Sequence, residues 1–432
     1  MRNGRPPVSL NLDIRGMGRS PTLAINELSA RLVAEGREVF RLGLGQSPFP
    51  VPDLVVEALR RHAAEKDYLP VLGLPALREA VAAAHRRAEG VEAGPDDVLI
   101  GPGSKELMFL TMLAYYGDVV VPTPCWVSYA PQARMLGRQV RLLPTDFTHR
   151  WRLSPEQLEA LCREDPDRPR LVLLNYPGNP EGSTYRKVRL QELARIARRY
   201  RVILLSDEIY GPLRFDGAHE SIARYYPEGT IVSSGLSKWC GAGGWRLGTF
   251  IFPEALRWLR DAMAAAASET YTAVSAPIQY AAITAFQGGP EIDDYLHHAR
   301  RILRALGGWC TRRLRSAGAR MVEPQGGFYV FPDFTSRAPR LAARGIRTSV
   351  QLTDALLEEA GVATLPGAAF NRDPAELTLR LAYVNFDGAA ALEASRRDQG
   401  GGELDDAWLR AHCPDTLEAV DRLAAWVEGT PV

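Results

Sequence analysis

Lysine is the scarcest charged residue in this sequence. Of its 432 residues 52 are basic, yet the lysines are only Lys66, Lys105, Lys187 and Lys238. With 51 acidic residues the net charge is +1, which argues against the basic face or tail of a nucleic-acid-binding chain. No apolar stretch approaches the ~20 residues of a membrane span, and the opening MRNGRPPVSLNLDIRG lacks the apolar core of a signal peptide. A cytoplasmic protein without a membrane partner is therefore expected. Cysteine is also sparse: Cys125, Cys162, Cys240, Cys310 and Cys413 are scattered, odd in number and without a CxxC pair. They read as reduced thiols, not as a disulfide framework or a zinc site. The seven histidines show neither metal-ligand spacing nor a nucleophile partner, so no metal is expected and they read as structural or surface residues. No internal repeat occurs, and the one low-complexity tract, QGGGELDD at 399–406, reads as a surface loop.

What is present is ordinary globular material, 46% hydrophobic and 24% charged, long enough for two domains or one large domain with a lobe attached. Residues 75–90, PALREAVAAAHRRAEG, place Leu77, Ala80, Val81 and Ala84 at helical spacing and end on glycine, which predicts a helix. DVLIGPG is a short apolar run into a Gly-Pro-Gly turn, followed by the helical SKELMFLTMLAYYG. DVVVPTPCW, RQVRLLPTD, RLVLLNYPGNP, YRVILLSDEIY, GTIVSSGLSK and WRLGTFIF are further strand-like runs, several separated by helical stretches such as LQELARIARRY. This alternation predicts an α/β fold, a mostly parallel central sheet with helices on both faces. Its ligand site belongs where the strands end. After about residue 290, LHHARRILRALGGWCTRRLRSAG reads as one long helix, and RMVEPQGGFYVFPDF opens the pattern of a smaller α+β lobe. The first fifty or so residues read as an arm with one helix at 24–35, packing on that lobe or on a neighbouring chain.

Lys238 stands in SSGLSKWCGAGGWRLG, between a serine and an apolar pair, ahead of glycines that lead to Arg246. It is open to structural, phosphate-holding and nucleophilic readings. The other strand ends offer Asn175 and Asn179 in LLNYPGNPEG, Asp207 and Tyr210 in LLSDEIYG, and Ser234 and Ser237 beside Lys238. GPGSKE brings Gly103, Ser104 and Lys105 to a helix start suited to an anion, and PTPCWVSY brings Trp126. One kind of small molecule uses all of these: a phosphorylated pyridine aldehyde. A lysine holds the aldehyde as a Schiff base, and a carboxylate keeps the ring nitrogen protonated so that the ring accepts electrons. An amide and a phenol hold the ring oxygen, an aromatic stacks on the ring, and an arginine with helix-terminal N–H groups holds the phosphate. GPGSKE lacks the ending of a P-loop and GLGQSP opens no helix, so a nucleotide site is the poorer reading. Taken singly, Lys238 reads as solvated, Asp207 as a helix cap, Trp126 as core and Arg380 as half of an ion pair. For Lys238 the neighbouring Ser237, Arg246 and SDEIY, and for Asp207 the Tyr210 partner, favour the cofactor.

In order along most of the chain, LGLGQSPFPVP, YLPVLGLPALREAVA, PTPCWVSY, NYPGNPEG, SDEIY, SKWCGAGGWRLG, SAPIQYAA, GGFYVF, GVATLPGAAF and LTLRLAYV resemble the motifs of one family. It is that of the class I/II aminotransferases, fold type I enzymes of pyridoxal 5′-phosphate (PLP), and the chain is most similar to the bacterial aspartate aminotransferase-like subgroup. The resemblance implies that Lys238 is the Schiff-base lysine and proton shuttle, that Asp207 pairs with the ring nitrogen, that Tyr210 and Asn179 reach the ring oxygen and that Trp126 stacks on the ring. It implies a phosphate cradle of Ser104, Ser237, Arg246 and the Gly103 backbone, with Lys105 beside the cofactor. Tyr68 matches a tyrosine that reaches the partner subunit's phosphate, and Ser275 approaches the same interface, which implies a homodimer with shared active sites. Arg380 matches the clamp on the substrate α-carboxylate, assisted by Asn179 and the Gly45 backbone. The implied layout is an arm and the start of the small domain at 1–45, a large PLP-binding domain at 46–296 and a small domain at 297–432.

The implied activity moves an amino group between an L-amino acid and a 2-oxo acid by a ping-pong route. Lys105 and Thr22 match residues that read a second carboxylate, which favours aspartate or glutamate; a helix-start cation at the pocket edge is the other reading of Lys105. The chain departs from the family pattern at Glu181 (usually Thr or Ser), at Gln46-Ser47 (usually Glu-Pro), at Cys240 to Gly243, at AYVNFDG after Arg380, and in a longer tail after about Arg396. A specialised PLP enzyme of the same fold, an amino-acid cyclase, β-eliminating lyase or oxidase, shares the lysine, aspartate and arginine and stands as the alternative. A transcription regulator with an aminotransferase-like half is disfavoured, because the residues ahead of the matched region are not patterned as a DNA-binding helix pair.

Overall fold

The computed structural model describes residues 10–398 and 402–430, so residues 1–9 of the opening segment and residues 399–401 of the low-complexity tract lie outside the described residues. After the short β1 (Phe40–Arg41), seven strands form the central sheet: β2 (Val98–Gly101), β3 (Asp118–Thr123), β4 (Val140–Pro144), β5 (Arg170–Asn175), β6 (Ile203–Asp207), β7 (Thr230–Gly235) and β8 (Gly248–Ile251). Their order is β2-β8-β7-β6-β5-β3-β4. β3 to β7 pair in parallel, while β8 runs antiparallel to both β2 and β7.

Successive side chains alternate between the sheet's faces. On one face Val172, Leu174 and Leu204 pack with Leu190, Leu193 and Ile196 of the helix Lys187–Arg199. On the other, Leu171, Leu173 and Leu205 pack with Leu107 and Leu110 of the helix Ser104–Ala114 and with Leu259 and Met263 of the helix Arg257–Ser268. Helices therefore cover both faces, and the apolar runs needed no polar alternation. The register sets Asn175 opposite Asp207 and Asp207 opposite Ser233, so the polar ends of β5 and β6 stand in one row with Ser233 of β7.

The C-terminal part is built on the helix Pro290–Ser316, which starts six residues before the predicted LHHARRILRALGG stretch. Gly288-Gly289 stops the preceding helix, and Pro290 fits a first turn whose N–H groups are unpaired in any case. The arm helix, Pro21–Ala34, begins on a proline for the same reason. The strands β9 (Tyr329–Val330), β10 (Val362–Ala363), β11 (Leu365–Pro366) and β12 (Leu379–Ala382) complete this part. β11-β12-β9 form an antiparallel sheet, and β1 joins β10 in parallel, which ties residues 40–41 to the C-terminal part. The tail folds into the helices Asp406–His412 and Pro414–Glu428. Leu417, Val420, Leu423 and Trp426 enter the same core as Leu303, Leu306 and Leu314, and Arg313 ion-pairs with Asp421 and Glu428. No described helix is long and apolar enough to cross a membrane.

Candidate active site

A cavity of about 570 Å³ opens at the carboxyl ends of β5, β6 and β7, bounded by the arm helix and by β12. Of the residues singled out in the sequence, it brings together Thr22, Gly45, Ser104, Lys105, Trp126 and Asn179 with Asp207, Tyr210, Ser237, Lys238, Arg246 and Arg380. Gly103 lies directly behind Arg246. Tyr68 and Ser275 do not line this cavity; both are exposed, Tyr68 to 92%. Ser234, one residue along β7 from the site row, lines a different cavity.

Lys238 Nζ donates to the Gly45 carbonyl at 2.7 Å. Burial, reinforced by the nearby Arg380 guanidinium and opposed by Asp207, lowers its pKa to about 8, so a useful fraction of the amine is neutral near physiological pH. Asp207 ends β6 with its carboxyl buried, which raises its pKa to about 6 against the opposing hydrogen bond from Tyr129. That bond, Tyr129 Oη to Oδ2 at 2.6 Å, comes from the helix Tyr129–Met135. Asn175 Nδ2 donates to the Asp207 carbonyl at 2.9 Å and fixes the strand end. The Tyr210 and Tyr329 hydroxyls lie 2.8 Å apart. Replacing Tyr129 with phenylalanine is expected to remove about 1.5–3 kcal/mol of support for the ionised carboxyl. The readout is a lower kcat at little-changed KM, with the acid limb of the kcat–pH profile moved to higher pH; an unmoved limb contradicts it.

The helix Ser104–Ala114 begins with no side-chain cap, leaving backbone N–H groups aimed outward. A Cβ on Gly103 (φ 92°) would sit 2.3 Å from an Arg246 guanidinium nitrogen, and one on Gly248 would sit 2.1 Å from the Ser104 nitrogen. Glycine at both positions lets Arg246 and the start of β8 close on the helix terminus. Arg246 itself donates to the Gly243 carbonyl at 2.9 Å and the Pro102 carbonyl at 3.3 Å. Two serine hydroxyls, a guanidinium and a helix N-terminus are the donor set of a phosphate site. Lys105 Nζ stands 5.1 Å from the Trp126 ring centroid, and burial, with Arg246 adding to it, lowers its pKa.

Arg380, on β12, is 1% exposed. One of its nitrogens donates to Asn179 Oδ1 at 3.3 Å and another to the Gly43 carbonyl, while Nε has no partner among the described residues. Its guanidinium carbon lies 4.7 Å from the Tyr329 ring centroid and 5.2 Å from that of Phe370. It makes no ion pair among the described residues, and a buried cation without a carboxylate is costly unless an anion arrives. Tyr129, Tyr329 and Asn26 also shape or line the site without having been singled out. Tyr129 and Tyr329 stood inside PTPCWVSY and GGFYVF; Asn26 is one turn from Thr22 on the arm helix. At the departure Glu181, burial pushes the carboxyl up to about 8, so it is largely protonated at neutral pH, and Ser183 donates to it at 3.1 Å.

These residues fit PLP: an amine for its aldehyde, a buried carboxylate for its ring nitrogen, an aromatic for its ring and an anion cradle for its phosphate. Residues 37–389 match the family "Aminotransferase class I and II". The aspartate aminotransferase of Geobacillus stearothermophilus is 33% identical over 374 residues, covering 84% of this chain and 92% of that protein. The asparagine–oxo-acid transaminase of Streptococcus mutans is 31% identical over 394 residues, covering 89% and 96%. Among solved structures, the Thermus thermophilus aspartate aminotransferase with maleate aligns at a TM-score of 0.81 and 31% identity, over 90% of this chain and 98% of that one. These relatives favour amino-group transfer over cyclisation, elimination or oxidation. The chain belongs to the class I and II aminotransferases, PLP-dependent enzymes of fold type I.

Proposed function

We propose that this aminotransferase takes an acidic amino acid, aspartate or glutamate, as donor and a 2-oxo acid as acceptor, by a ping-pong route, as a cytoplasmic homodimer. The observation that carries the reading is a single cavity holding Lys238, a buried Asp207 and a buried Arg380 without an ion-pair partner. When bound, PLP supplies an aldehyde carbon open to amines and a ring that takes up the electron pair released at the amino acid's α-carbon. Arg380 binds the α-carboxylate through paired N–H groups, aided by Asn179 and the Gly45 backbone, and so orients the bond to be broken. Lys238 Nζ would take the α-proton and return it, and a pKa near 8 suits both directions. Asp207 holds the positive charge of the ring nitrogen, Tyr129 holds Asp207 ionised, and Tyr210 and Asn179 donate to the ring oxygen. Trp126 covers the ring, while Ser104, Ser237, Arg246 and the Gly103 backbone hold the phosphate, with Lys105 beside them.

Arg246→Gln is expected to weaken PLP affinity by roughly 10- to 100-fold, the worth of charged hydrogen bonds at about 1.5–3 kcal/mol. Equilibrium dialysis reads it, and unchanged affinity contradicts the phosphate role. Tyr68 and Ser275, exposed and off the chain's own cavity, are assigned to the partner's site. The exposed Leu10, Leu12, Ile14 and Met17 of the arm support its packing on a second copy. The units at 1–45, 46–296 and 297–432 belong to the same proposal, with the helix Pro290–Ser316 crossing from the second into the third.

For the acidic side chain, Lys105 and Thr22 face the cavity, and maleate, found with the Thermus relative, is a dicarboxylate. The test is kcat/KM for aspartate, glutamate, asparagine, alanine and phenylalanine. The acidic donors are expected to lead, and Lys105→Met to cut that preference by roughly 10- to 100-fold. A leading apolar donor, or a preference unchanged in Lys105→Met, contradicts the assignment.

A further inference from the structure

Glu208 follows Asp207 in the chain, yet its side chain enters a separate buried cluster. Its Oε1 accepts from the hydroxyls of Ser206 at 2.7 Å, Ser221 at 2.7 Å and Tyr176 at 3.2 Å, while Oε2 lies 2.8 Å from His219 Nε2. The helix Pro75–Glu89 contributes His85 and Glu89, four residues apart and so on one face, with His85 Nδ1 2.6 Å from Glu89 Oε2. All four side chains are buried. One ligand atom each from Glu89, Glu208 and His219 lie within 4.8 Å of one another. His219 Nδ1 is buried without a partner among the described residues, and His85, Glu89 and His219 line a cavity of about 400 Å³, distinct from that of Lys238.

We propose that Glu89, Glu208 and His219 form a site for a divalent cation of the zinc or manganese class, with His85 orienting Glu89. One imidazole and two carboxylates are a donor set such ions use, and three protein ligands leave a position for water from the adjoining cavity. Two carboxylates balance the two charges, as a buried site requires. Both carboxylates are held from behind, Glu208 by three hydroxyls and Glu89 by His85, which is how metal ligands are oriented. The 2.8 Å between His219 Nε2 and Glu208 Oε2 is close to the separation of adjacent ligands about 2.1 Å from one ion. Ligands about 2.1 Å from such an ion stand ~3.0 Å apart at right angles and ~3.4 Å apart at the tetrahedral angle, so the 4.8 Å spread closes with side-chain shifts that together come to roughly 1.5 Å. The neutral imidazole then keeps its proton on the otherwise unpartnered Nδ1. Bound there, the cation ties the helix Pro75–Glu89 to the strand end that carries Asp207. The four-residue spacing of His85 and Glu89 is visible in the sequence, but Glu208 and His219 join it only through the fold.

The test uses PLP-loaded protein stripped by a chelator, exposed to zinc or manganese chloride and desalted. Metal content is read by mass spectrometry and stability by melting temperature. One retained equivalent per chain and a raised melting temperature are expected, with retention falling roughly tenfold or more in His219→Ala and in the near-isosteric Glu89→Gln. Persisting PLP absorbance reports that each variant is folded, and replacing the exposed His149 or His297 is expected to leave retention unchanged. Failure to retain either cation stoichiometrically, or equal retention in both variants, overturns the proposal and leaves the cluster as two buried acid–imidazole pairs.

Discussion

Lys238→Ala is expected to abolish turnover, with kcat falling by roughly 10⁵- to 10⁶-fold, the scale seen when a group that is both nucleophile and proton carrier is removed. The absorbance of the lysine-bound cofactor disappears as well, while circular dichroism and the melting transition stay close to those of the parent. No other lysine can stand in. Lys105, the other lysine of the cavity, is held over Trp126 beside Arg246, and Lys66 and Lys187 do not line it. The pH dependence follows from the same burial. With the amine's pKa lowered to about 8, the apoprotein's reaction with an aldehyde reagent should rise through about pH 8, well below the range of an ordinary lysine. Full turnover in Lys238→Ala would remove the basis of the mechanism.

Asp207→Asn is expected to move activity and stability in opposite directions. Removing the charge that faces the ring nitrogen costs about 3–5 kcal/mol, the price of unpairing a buried ion pair, so kcat falls roughly 10²- to 10⁴-fold. Without cofactor the sign reverses. Burial raises the carboxyl in the folded apoprotein to about 6 from an ordinary 3.8. Below the ordinary value both folded and unfolded chains are protonated, and no penalty exists. Between about pH 4 and 6 the unfolded chain ionises while the folded one stays protonated, so folding loses up to ~3 kcal/mol, and the full penalty stands above about pH 6. Apo Asp207→Asn should therefore be more stable than the apo parent near pH 7.5, with the gap closing toward pH 4. Denaturant unfolding at both ends of that range, with and without PLP, measures it. A gap independent of pH, or an unchanged kcat, contradicts the role.

The fold class was legible because its signal is local. Runs such as RLVLLN and VILLSD are apolar on both faces, and only a covered parallel sheet uses such strands. The direction of β8 was not legible, since WRLGTFIF carries no mark of running antiparallel. Lys238, Asp207 and Arg246 stood out only as a set, since each alone had an ordinary reading at a strand end, and Arg380 stood out through the resemblance carried by LTLRLAYV. Tyr129 did not, because a tyrosine at a helix start reads as core until the fold carries it to a carboxylate 78 positions away. Ser234 and Ser237 stand in one short run, yet Ser234 lies within β7 and lines the second cavity, while Ser237, two residues past the strand, lines the first. The tail after Arg396 was unread because the resemblance stopped there, although Leu417, Val420 and Trp426 already carry an apolar helical face.

The most direct test of the central claim is a single half-reaction. PLP-loaded protein, with no oxo acid present, is mixed with one L-amino acid at a time while the visible spectrum and the products by mass are followed. Stoichiometric conversion to the aminated cofactor, with release of one equivalent of the matching 2-oxo acid and aspartate or glutamate fastest, is the expected result. Repeated turnover without an acceptor, yielding a cyclised, eliminated or oxidised product while the aldehyde form persists, would contradict it.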